Sequence, residues 1–299
     1  RHRSGQPGLV ARAGRVTGPA LACLGAVVLA ACGAPTTIAD DRSTPTPGVE
    51  TAEYRPGVEA DVHLPTRPTS GPVPVVVTVP GGSWATADRT GLGPLAAALA
   101  AEGMVAVNAR YRAAGDGVVF PTPVEDVACA VSWAAAQAED AGFSSEPLVL
   151  IGHSAGAHLG VLAALSPSEF RGDCPAPPSE PDAFVGLAGP YDLTEVEPLV
   201  QALLGATPEA DPAAWARADP LRRGTDRPEL DVLLLHGTSD DAVAPEASDR
   251  LASALREGGH DVTLTLLPGV DHDVVYAADT AAPLITDWVT VTGPPTPTG

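Results

Sequence analysis

The feature that most constrains the fold is a regular alternation of strand-like and helix-like stretches, which begins at Val58. The run Val73–Val79 (VPVVVTV) is rich in β-branched residues, which is typical of a strand buried on both faces of a sheet. The predicted strands are Val58–Leu64 at a sheet edge, Val73–Val79, Met104–Tyr111, Leu148–Ile151, Ala183–Leu187, Val232–Leu235 and Val262–Leu267; the predicted helices are Gly91–Glu102, Pro123–Ala141, Ala155–Leu165 and Pro245–Glu257. This alternation predicts an α/β fold with a mostly parallel central sheet and helices on both faces.

The stretch Leu193–Leu230 departs from this pattern because it is longer than a simple crossover requires. It is acidic and interrupted by prolines, so we predict that residues 193–230 form a small helical cap over one end of the sheet. In open α/β sheets, ligands bind beyond the carboxyl ends of the strands. We therefore expect the chemically active side chains in loops that follow strands.

The charge balance argues against nucleic-acid partners. The chain has 17 basic residues, all of them Arg, against 37 acidic residues, and its net charge is −20. Such a surface repels phosphate backbones. Its 299 residues, 44% of them hydrophobic, suffice for the core of one large domain and exclude disorder throughout. Four cysteines are too few for a disulfide-based scaffold, and the sequence leaves the oligomeric state open.

Residues 1–31 have the composition of an export signal. They carry four Arg and no acidic residue, and the apolar run Pro19–Ala31 is too short to span a membrane as a helix. The run ends in Leu-Ala-Ala-Cys-Gly at residues 29–33, which resembles the lipobox of bacterial lipoprotein signals. The resemblance implies cleavage before Cys32, lipidation of its thiol, and a protein anchored at the outer face of the cell membrane. The alternative is an ordinary signal peptide and a secreted protein.

Two segments outside the alternating region have little to bury. Residues 32–55 are rich in Thr, Pro and Ala, and we predict that they form a semi-extended tether. Residues 293–299 (GPPTPTG) are predicted to be a flexible tail. The folded domain is then expected over residues 56–292.

A serine lies in the sequence pattern of a nucleophile turn. Residues 152–156 read Gly-His-Ser-Ala-Gly, which is G-x-S-x-G between a predicted strand and a predicted helix. In that context the motif forms a tight turn that exposes the serine hydroxyl. We therefore predict Ser154 as a nucleophile, and the alternative is a glycine-rich turn with an incidental serine.

A serine nucleophile needs a histidine base, and His272 is the best candidate. In this type of site the chain order is Ser, acid, His, and the histidine follows the last strand. Only His272 meets both conditions among the histidines that follow Ser154. His158 lies on the helix after the nucleophile, His236 precedes the candidate acids, and His260 lies at the opposite end of the sheet. His153, inside the motif, is interpreted as a packing or supporting residue.

The acid is expected in the loop after the strand Val232–Leu235. Asp240 and Asp241 are adjacent there, and neighbouring loop side chains point in different directions. The loop resembles the H-G-x-x-D-x-x-V pattern of serine hydrolases, which implies Asp240 as the acid and leaves Asp241 as the alternative. Asp192, after another strand, is interpreted as a cap of the following turn.

The loop after strand Val73–Val79 is the predicted oxyanion site. It reads Pro-Gly-Gly-Ser-Trp at residues 80–84, and its glycines allow backbone N–H groups to approach a ligand closely. We predict that the N–H groups of Gly82 or Ser83, together with that of Ala155, stabilise an oxyanion. An ordinary tight turn is the alternative.

Together these motifs resemble the α/β-hydrolases of the esterase and lipase group that carry H-G-G-x-W in the oxyanion loop. The match runs from about Val58 to Val291 and departs from the pattern at Pro80, where the group has His, and at Ala244, where Pro is usual. The resemblance implies a three-layer α/β-hydrolase fold and a serine carboxylic-ester hydrolase that forms an acyl-enzyme on Ser154. It implies a small-molecule ester substrate and no cofactor.

Three further expectations concern the pocket, the cysteines and metal binding. Trp84 and Trp215 are candidate pocket residues. Cys129 and Cys174 flank one strand–helix unit and are expected to pair as a disulfide if the protein is exported, and two free thiols are the alternative. No His, Cys or Asp cluster in the sequence has metal-ligand spacing.

Two alternative functions remain open. One is an amidase or peptidase resembling the prolyl-peptidase group, and the other is a non-catalytic protein on a hydrolase scaffold.

Overall fold

A computed structural model describes residues 48–65 and 72–292. Their strands are β1 Val49–Arg55, β2 Val58–His63, β3 Val75–Val79, β4 Val105–Ala109, β5 Leu148–His153, β6 Ala183–Leu187, β7 Asp231–Gly237 and β8 Val262–Leu267. Their helices are α1 Gly93–Ala101, α2 Thr122–Asp140, α3 Ala155–Leu165, α4 Glu197–Leu204, α5 Pro212–Ala218, α6 Glu246–Gly258 and α7 Ala278–Thr292. The predicted signal with Cys32, residues 32–47 of the predicted tether, and the predicted tail lie outside the described residues.

The eight strands form one sheet in the order β1-β2-β4-β3-β5-β6-β7-β8. The pairs β1–β2 and β2–β4 are antiparallel, and all the other neighbouring pairs are parallel. The carboxyl ends of β3, β5, β7 and β8 therefore meet at one edge of the sheet, where the predicted site residues follow them.

Both faces of the sheet are buried, as the β-branched run in β3 predicted. Val75 and Val77 belong to a core that includes α2, α3 and α6, whereas Val76 belongs to a second core with α1 and α7. Successive residues of a strand point to opposite faces, so a strand between two helical layers is apolar at nearly every position, and two buried exceptions, Thr78 and Asn108, hydrogen-bond to each other. The alternation of strands and helices was thus a correct guide to a three-layer arrangement.

Two predictions about the first strands were wrong. Residues 49–55 were assigned to the tether but form β1, and β1 pairs outside β2, so Val58–Leu64 does not contain the edge strand. Tyr54 explains why β1 joins the sheet, because its side chain is only 2% exposed. Pro56 and Gly57 connect β1 to β2, and Gly57 has φ +72°, a conformation that suits a two-residue hairpin turn.

Helix α7, at the end of the described chain, was not predicted from the sequence. Residues 193–230 are the segment that was interpreted as a cap. That segment contains α4, α5 and a 3₁₀ turn at Pro220–Arg223. Cys129 on α2 and Cys174 after α3 form a disulfide with their Cα atoms 5.3 Å apart, which is the expected pairing. Within residues 48–65 and 72–292, no helix combines the length and the apolar character needed to cross a membrane.

Candidate active site

The turn between β5 and α3 presents Ser154 in an unusual backbone conformation. Ser154 has φ 51° and ψ −123°, and its N–H donates to the carbonyl oxygen of Leu187 at 2.9 Å. A non-glycine residue holds such a conformation only where its surroundings enforce it. Here a Cβ on Gly156 would overlap the carbonyl oxygens of Val79 and Pro80, so the helix after Ser154 packs directly on the backbone that leaves β3. Both motif glycines are needed, because a Cβ on Gly152 would overlap the backbone of Gly156.

The structure brings the three predicted triad side chains together. The Ser154 hydroxyl lies 3.0 Å from Nε2 of His272, and Nδ1 of His272 lies 2.7 Å from Oδ2 of Asp240. A carboxylate only accepts hydrogen bonds, so Nδ1 carries the proton and donates to Asp240. In the neutral ring with its proton on Nδ1, Nε2 accepts from Ser154, which is the tautomer that a general base requires.

Both carboxylate oxygen atoms of Asp240 accept hydrogen bonds. Its Oδ1 accepts from the N–H groups of Ala242 at 2.9 Å and Val243 at 2.8 Å, and its side chain is fully buried. Burial alone would raise the pKa of this carboxyl, but the hydrogen bonds from Val243, His272 and Ala242 outweigh burial and lower the pKa. Asp240 is thus an ionised carboxylate with no exposed side-chain surface, whereas the neighbouring Asp241 is exposed.

The other candidate residues occupy the places expected for them. His260 is buried and its Nδ1 donates to the carbonyl oxygen of Leu230, near the start of β7. Asp192 accepts from the N–H and hydroxyl of Thr194, as a turn cap does. His153 donates from Nε2 to the carbonyl oxygen of His272 at 3.0 Å, and burial, followed by the nearby His272, lowers its pKa to about 3. His153 therefore supports the loop that carries His272.

The loop after β3 lies directly against the serine turn. A Cβ on Gly81 would stand 2.9 Å from the Cβ of Ser154, so no side chain fits between them. Gly82 has φ +130°, and its carbonyl oxygen accepts from the N–H groups of Ala85 and Thr86. Ser83 and Trp84 follow with φ 52° and 58°, a rare run for residues with side chains. The loop is a tightly curled turn next to the predicted nucleophile.

Trp84 and His158 hold this loop in a way that the sequence analysis missed. Trp84 is almost fully buried, and its indole N–H donates to Nδ1 of His158 at 3.2 Å. The opposite nitrogen, Nε2, then donates to the carbonyl oxygen of Ala218 at 2.8 Å. Burial lowers the pKa of His158 to about 4, so the ring is neutral and can accept from Trp84. The position of His158 one helical turn after Ser154 does not by itself indicate a contact with Trp84.

A cavity of about 490 Å³ opens above the serine. Its lining includes Gly82, Ser83, Trp84, Ser154, Ala155 and His272, together with Val196 and Leu199 from the segment around α4. Trp215 is absent from the lining, so its prediction as a pocket residue was wrong. Its indole N–H donates to the carbonyl oxygen of Ala206 and its ring packs against the core below α4 and α5. In the part of the chain that the structure describes, no group of three or more His, Cys, Asp or Glu side chains is arranged to bind a metal ion.

The family model named BD-FAE matches residues 60–255, which include the loop after β3, the serine turn and the loop that holds Asp240. The chain belongs to the BD-FAE family. It is 30% identical over 223 residues to a protein named esterase LipC of Mycobacterium tuberculosis, which covers 70% of this chain and 54% of LipC. It is 28% identical over 235 residues to the probable carboxylic ester hydrolase LipM of the same organism, covering 74% of this chain and 54% of LipM. This BD-FAE chain therefore spans about half the length of the curated relatives it matches.

Solved structures give the same fold as the family match. The propionate-bound structure of the Thermogutta terrifontis esterase Est2 aligns with a TM-score of 0.65 and 22% identity, covering 85% of this chain and 97% of that one. With its eight-stranded, mostly parallel sheet between helical layers, this member of the BD-FAE family has the three-layer α/β-hydrolase fold.

Proposed function

We propose that this protein is a serine carboxylic-ester hydrolase that acts through an acyl-enzyme on Ser154. The observation that carries the proposal is the unbroken chain of contacts from Ser154 Oγ to His272 Nε2, 3.0 Å, and from His272 Nδ1 to Asp240 Oδ2, 2.7 Å. This chain ends in a cavity that Gly82, Ser83 and Ala155 also line, and we assign their backbone N–H groups as the oxyanion donors. These are the nucleophile, base, orienting acid and oxyanion donors that acyl transfer requires.

The reaction begins when Ser154 Oγ bonds to the ester carbonyl carbon and its proton passes to Nε2 of His272. The carbonyl oxygen becomes negative and accepts hydrogen bonds from the N–H group of Gly82 or Ser83 and from that of Ala155. The tetrahedral intermediate expels the alcohol, which takes the proton from His272, and an acyl group remains on Ser154. Water, deprotonated by His272, then attacks the acyl carbon and releases the acid, restoring the serine.

Two lines of support favour an ester over the other substrates considered. LipC and LipM, the relatives described above, are both named as ester hydrolases. The BD-FAE match covers the loops that hold Ser154 and Asp240. A non-catalytic binding protein has no need for an ionised buried carboxylate that aligns a histidine with a serine, so the geometry favours an enzyme over that alternative.

The test is a panel of p-nitrophenyl esters of increasing acyl length, assayed with the wild-type protein and with Ser154→Ala. We expect hydrolysis by the wild-type protein, an initial burst of p-nitrophenol, and a loss of several orders of magnitude in kcat for the variant. Paired rates on an ester and its matching amide then separate an esterase from an amidase or peptidase. A faster amide reaction would replace this proposal, and a folded Ser154→Ala protein that keeps a tenth of the activity would reject it.

We further propose that the protein is exported and anchored by lipid on Cys32. The support is the sequence pattern of residues 1–33: basic start, short apolar run, then Leu-Ala-Ala-Cys-Gly. Mass spectrometry of the N-terminal peptide from the membrane fraction tests this directly, with Cys32→Ser as the control. We expect a lipidated N-terminal Cys32 and release of the variant into the soluble fraction. An unmodified Cys32, or cleavage elsewhere, would contradict the anchor.

A further inference from the structure

A second imidazole lies against the triad carboxylate, beside the same oxygen, Oδ2, that faces His272. His236 is the penultimate residue of β7 and is fully buried. Its Nε2 lies 3.2 Å from Oδ2 of Asp240 and 2.9 Å from the carbonyl oxygen of Val243. Its Nδ1 lies 2.8 Å from the hydroxyl of Ser248 on α6. A buried ring with a partner on each nitrogen has a fixed orientation.

The partners also fix the tautomer of His236. Both neighbours of Nε2, the carboxylate of Asp240 and the carbonyl of Val243, can only accept hydrogen bonds, so Nε2 carries a proton. Ser248 can donate its hydroxyl proton to Nδ1, which leaves the ring neutral. The ionisable groups around His236 are Asp240, His272 and His153. Burial is the main effect on His236 and lowers its pKa, which agrees with a neutral ring.

We propose that His236 is a positioning residue for the reaction proposed above, since its Nε2–H holds the carboxylate and the loop of Asp240 in line with His272. With His236 in place, Oδ2 faces Nε2 of His236 and Nδ1 of His272, while Oδ1 faces the N–H groups of Ala242 and Val243. The single Nε2–H of His236 is shared between the carbonyl oxygen of Val243 at 2.9 Å and Oδ2 of Asp240 at 3.2 Å, so it holds both the loop and the carboxylate. Asp240 therefore cannot rotate away from His272 while the imidazole of His272 gains and loses a proton during the reaction.

The second donor also moderates the charge on Asp240. The Nε2–H of His236 faces Oδ2, beside the hydrogen bonds from Val243, His272 and Ala242 that lower the pKa of Asp240. Without this donor, Asp240 attracts the positive form of His272 more strongly. We therefore expect loss of His236 to lower kcat and to move the acid limb of the kcat/KM profile to higher pH.

The decisive comparison is between His236→Met, which fills the space without a donor, and His236→Gln, which restores an N–H group near Nε2. We expect His236→Met to lower kcat by about tenfold or more, the range for loss of one hydrogen bond to a charged group, with little change in KM. We expect His236→Gln to recover most of that loss and to return the acid limb towards the wild-type position. His260→Met is the matched control, because His260 is equally buried but contacts Leu230 rather than Asp240.

A second variant and a second readout make the outcome clear. Ser248→Ala removes only the hydroxyl that donates to Nδ1 and leaves the imidazole of His236 in place. We therefore expect a smaller loss of kcat than in His236→Met, in the same direction. The rate at which a fluorophosphonate probe labels Ser154 reports on the triad without any ester substrate. Wild-type activity and pH profile in His236→Met, or equal losses in the Met and Gln variants, would overturn the inference. If the probe leaves wild-type Ser154 unlabelled, the proposed function itself is rejected, and this inference with it.

Discussion

Asp240 and Asp241 are neighbours in sequence but differ completely in their surroundings. Asp240 is buried and receives hydrogen bonds on both oxygens, whereas Asp241 is exposed. We expect Asp240→Asn to lower kcat by about 10⁴-fold, because the amide can stabilise the wrong tautomer of His272. We expect Asp241→Asn to change kcat by less than about twofold, since it shares no contact with His272. Steady-state kinetics of both variants decide this, and similar losses in the two would contradict the assignment.

At the scale of residues, the sequence predicted those groups whose place follows from chain order. Ser154, Asp240 and His272 each follow a strand at one edge of the sheet, so strand order alone predicts that they meet. His236 and Trp84 could not be assigned their contacts in this way, because a contact to Asp240 or His158 depends on side-chain orientation. Trp215 was misassigned for the same reason, since its ring faces the core rather than the cavity.

At the scale of elements, the contact between α3 and the end of β3 aligns the serine with the oxyanion loop. We expect Gly156→Ala to push the backbone at Val79 and Pro80 away from Ser154 and to lower kcat by about 100-fold, as small displacements in active sites do. Gly93→Ala is the control, because its Cβ would only approach Asn108 at 4.0 Å. Kinetics and thermal unfolding of both variants test this. Unchanged kcat in Gly156→Ala would show that the loop tolerates the shift.

The strand β1 offers a separate test of the element that the sequence analysis missed. Tyr54 is buried and its hydroxyl donates to the carbonyl oxygen of Arg110. We expect Tyr54→Ala to lower the free energy of unfolding by about 3–5 kcal/mol, the cost of removing a buried aromatic ring. Tyr54→Phe, which keeps the ring, should cost only about 1 kcal/mol. Urea unfolding measures both, and a loss below about 1 kcal/mol for the Ala variant would contradict the packing of β1.

The buried strands were predictable because they are continuous apolar runs, and β1 was missed because it is not one. Its sequence, VETAEYR, has polar residues at most positions, and only Tyr54 and Arg55 are buried. The Pro56-Gly57 pair was the available signal for a hairpin. A hairpin at this pair places the start of the domain at residue 49. The pairing of β1 with β2 nevertheless depends on a tertiary contact that the local sequence does not specify.

At the scale of the whole molecule, buried neutral histidines make stability depend on pH. The folded-state pKa of His158 is about 4 and that of His153 about 3, below the value of about 6.5 in an unfolded chain. Between these values the unfolded chain binds protons that the folded chain does not, so stability is full above about pH 6.5 and falls as pH decreases. We expect a loss of about 2 kcal/mol per histidine between pH 7 and pH 5.

Urea unfolding at pH 7, 6 and 5 measures this dependence. His158→Gln keeps one donor and one acceptor but does not titrate, so its stability should fall less steeply over the same range. Asp240, whose pKa is lowered in the folded state, adds a further loss only at more acidic pH. A stability that stays constant from pH 7 to pH 5 would contradict the buried, neutral state of both histidines.

Rapid-quench mass spectrometry measures the proposed transfer of an acyl group from an ester to Ser154. The protein is mixed with a slowly deacylating ester, acid-quenched within the burst phase, digested and analysed by peptide mass. We expect the wild-type peptide that contains Ser154 to be heavier by the mass of the acyl group. The corresponding peptide of Ser154→Ala should be unmodified. Rapid hydrolysis with no acyl group on Ser154, or with the group on another residue, would contradict this mechanism.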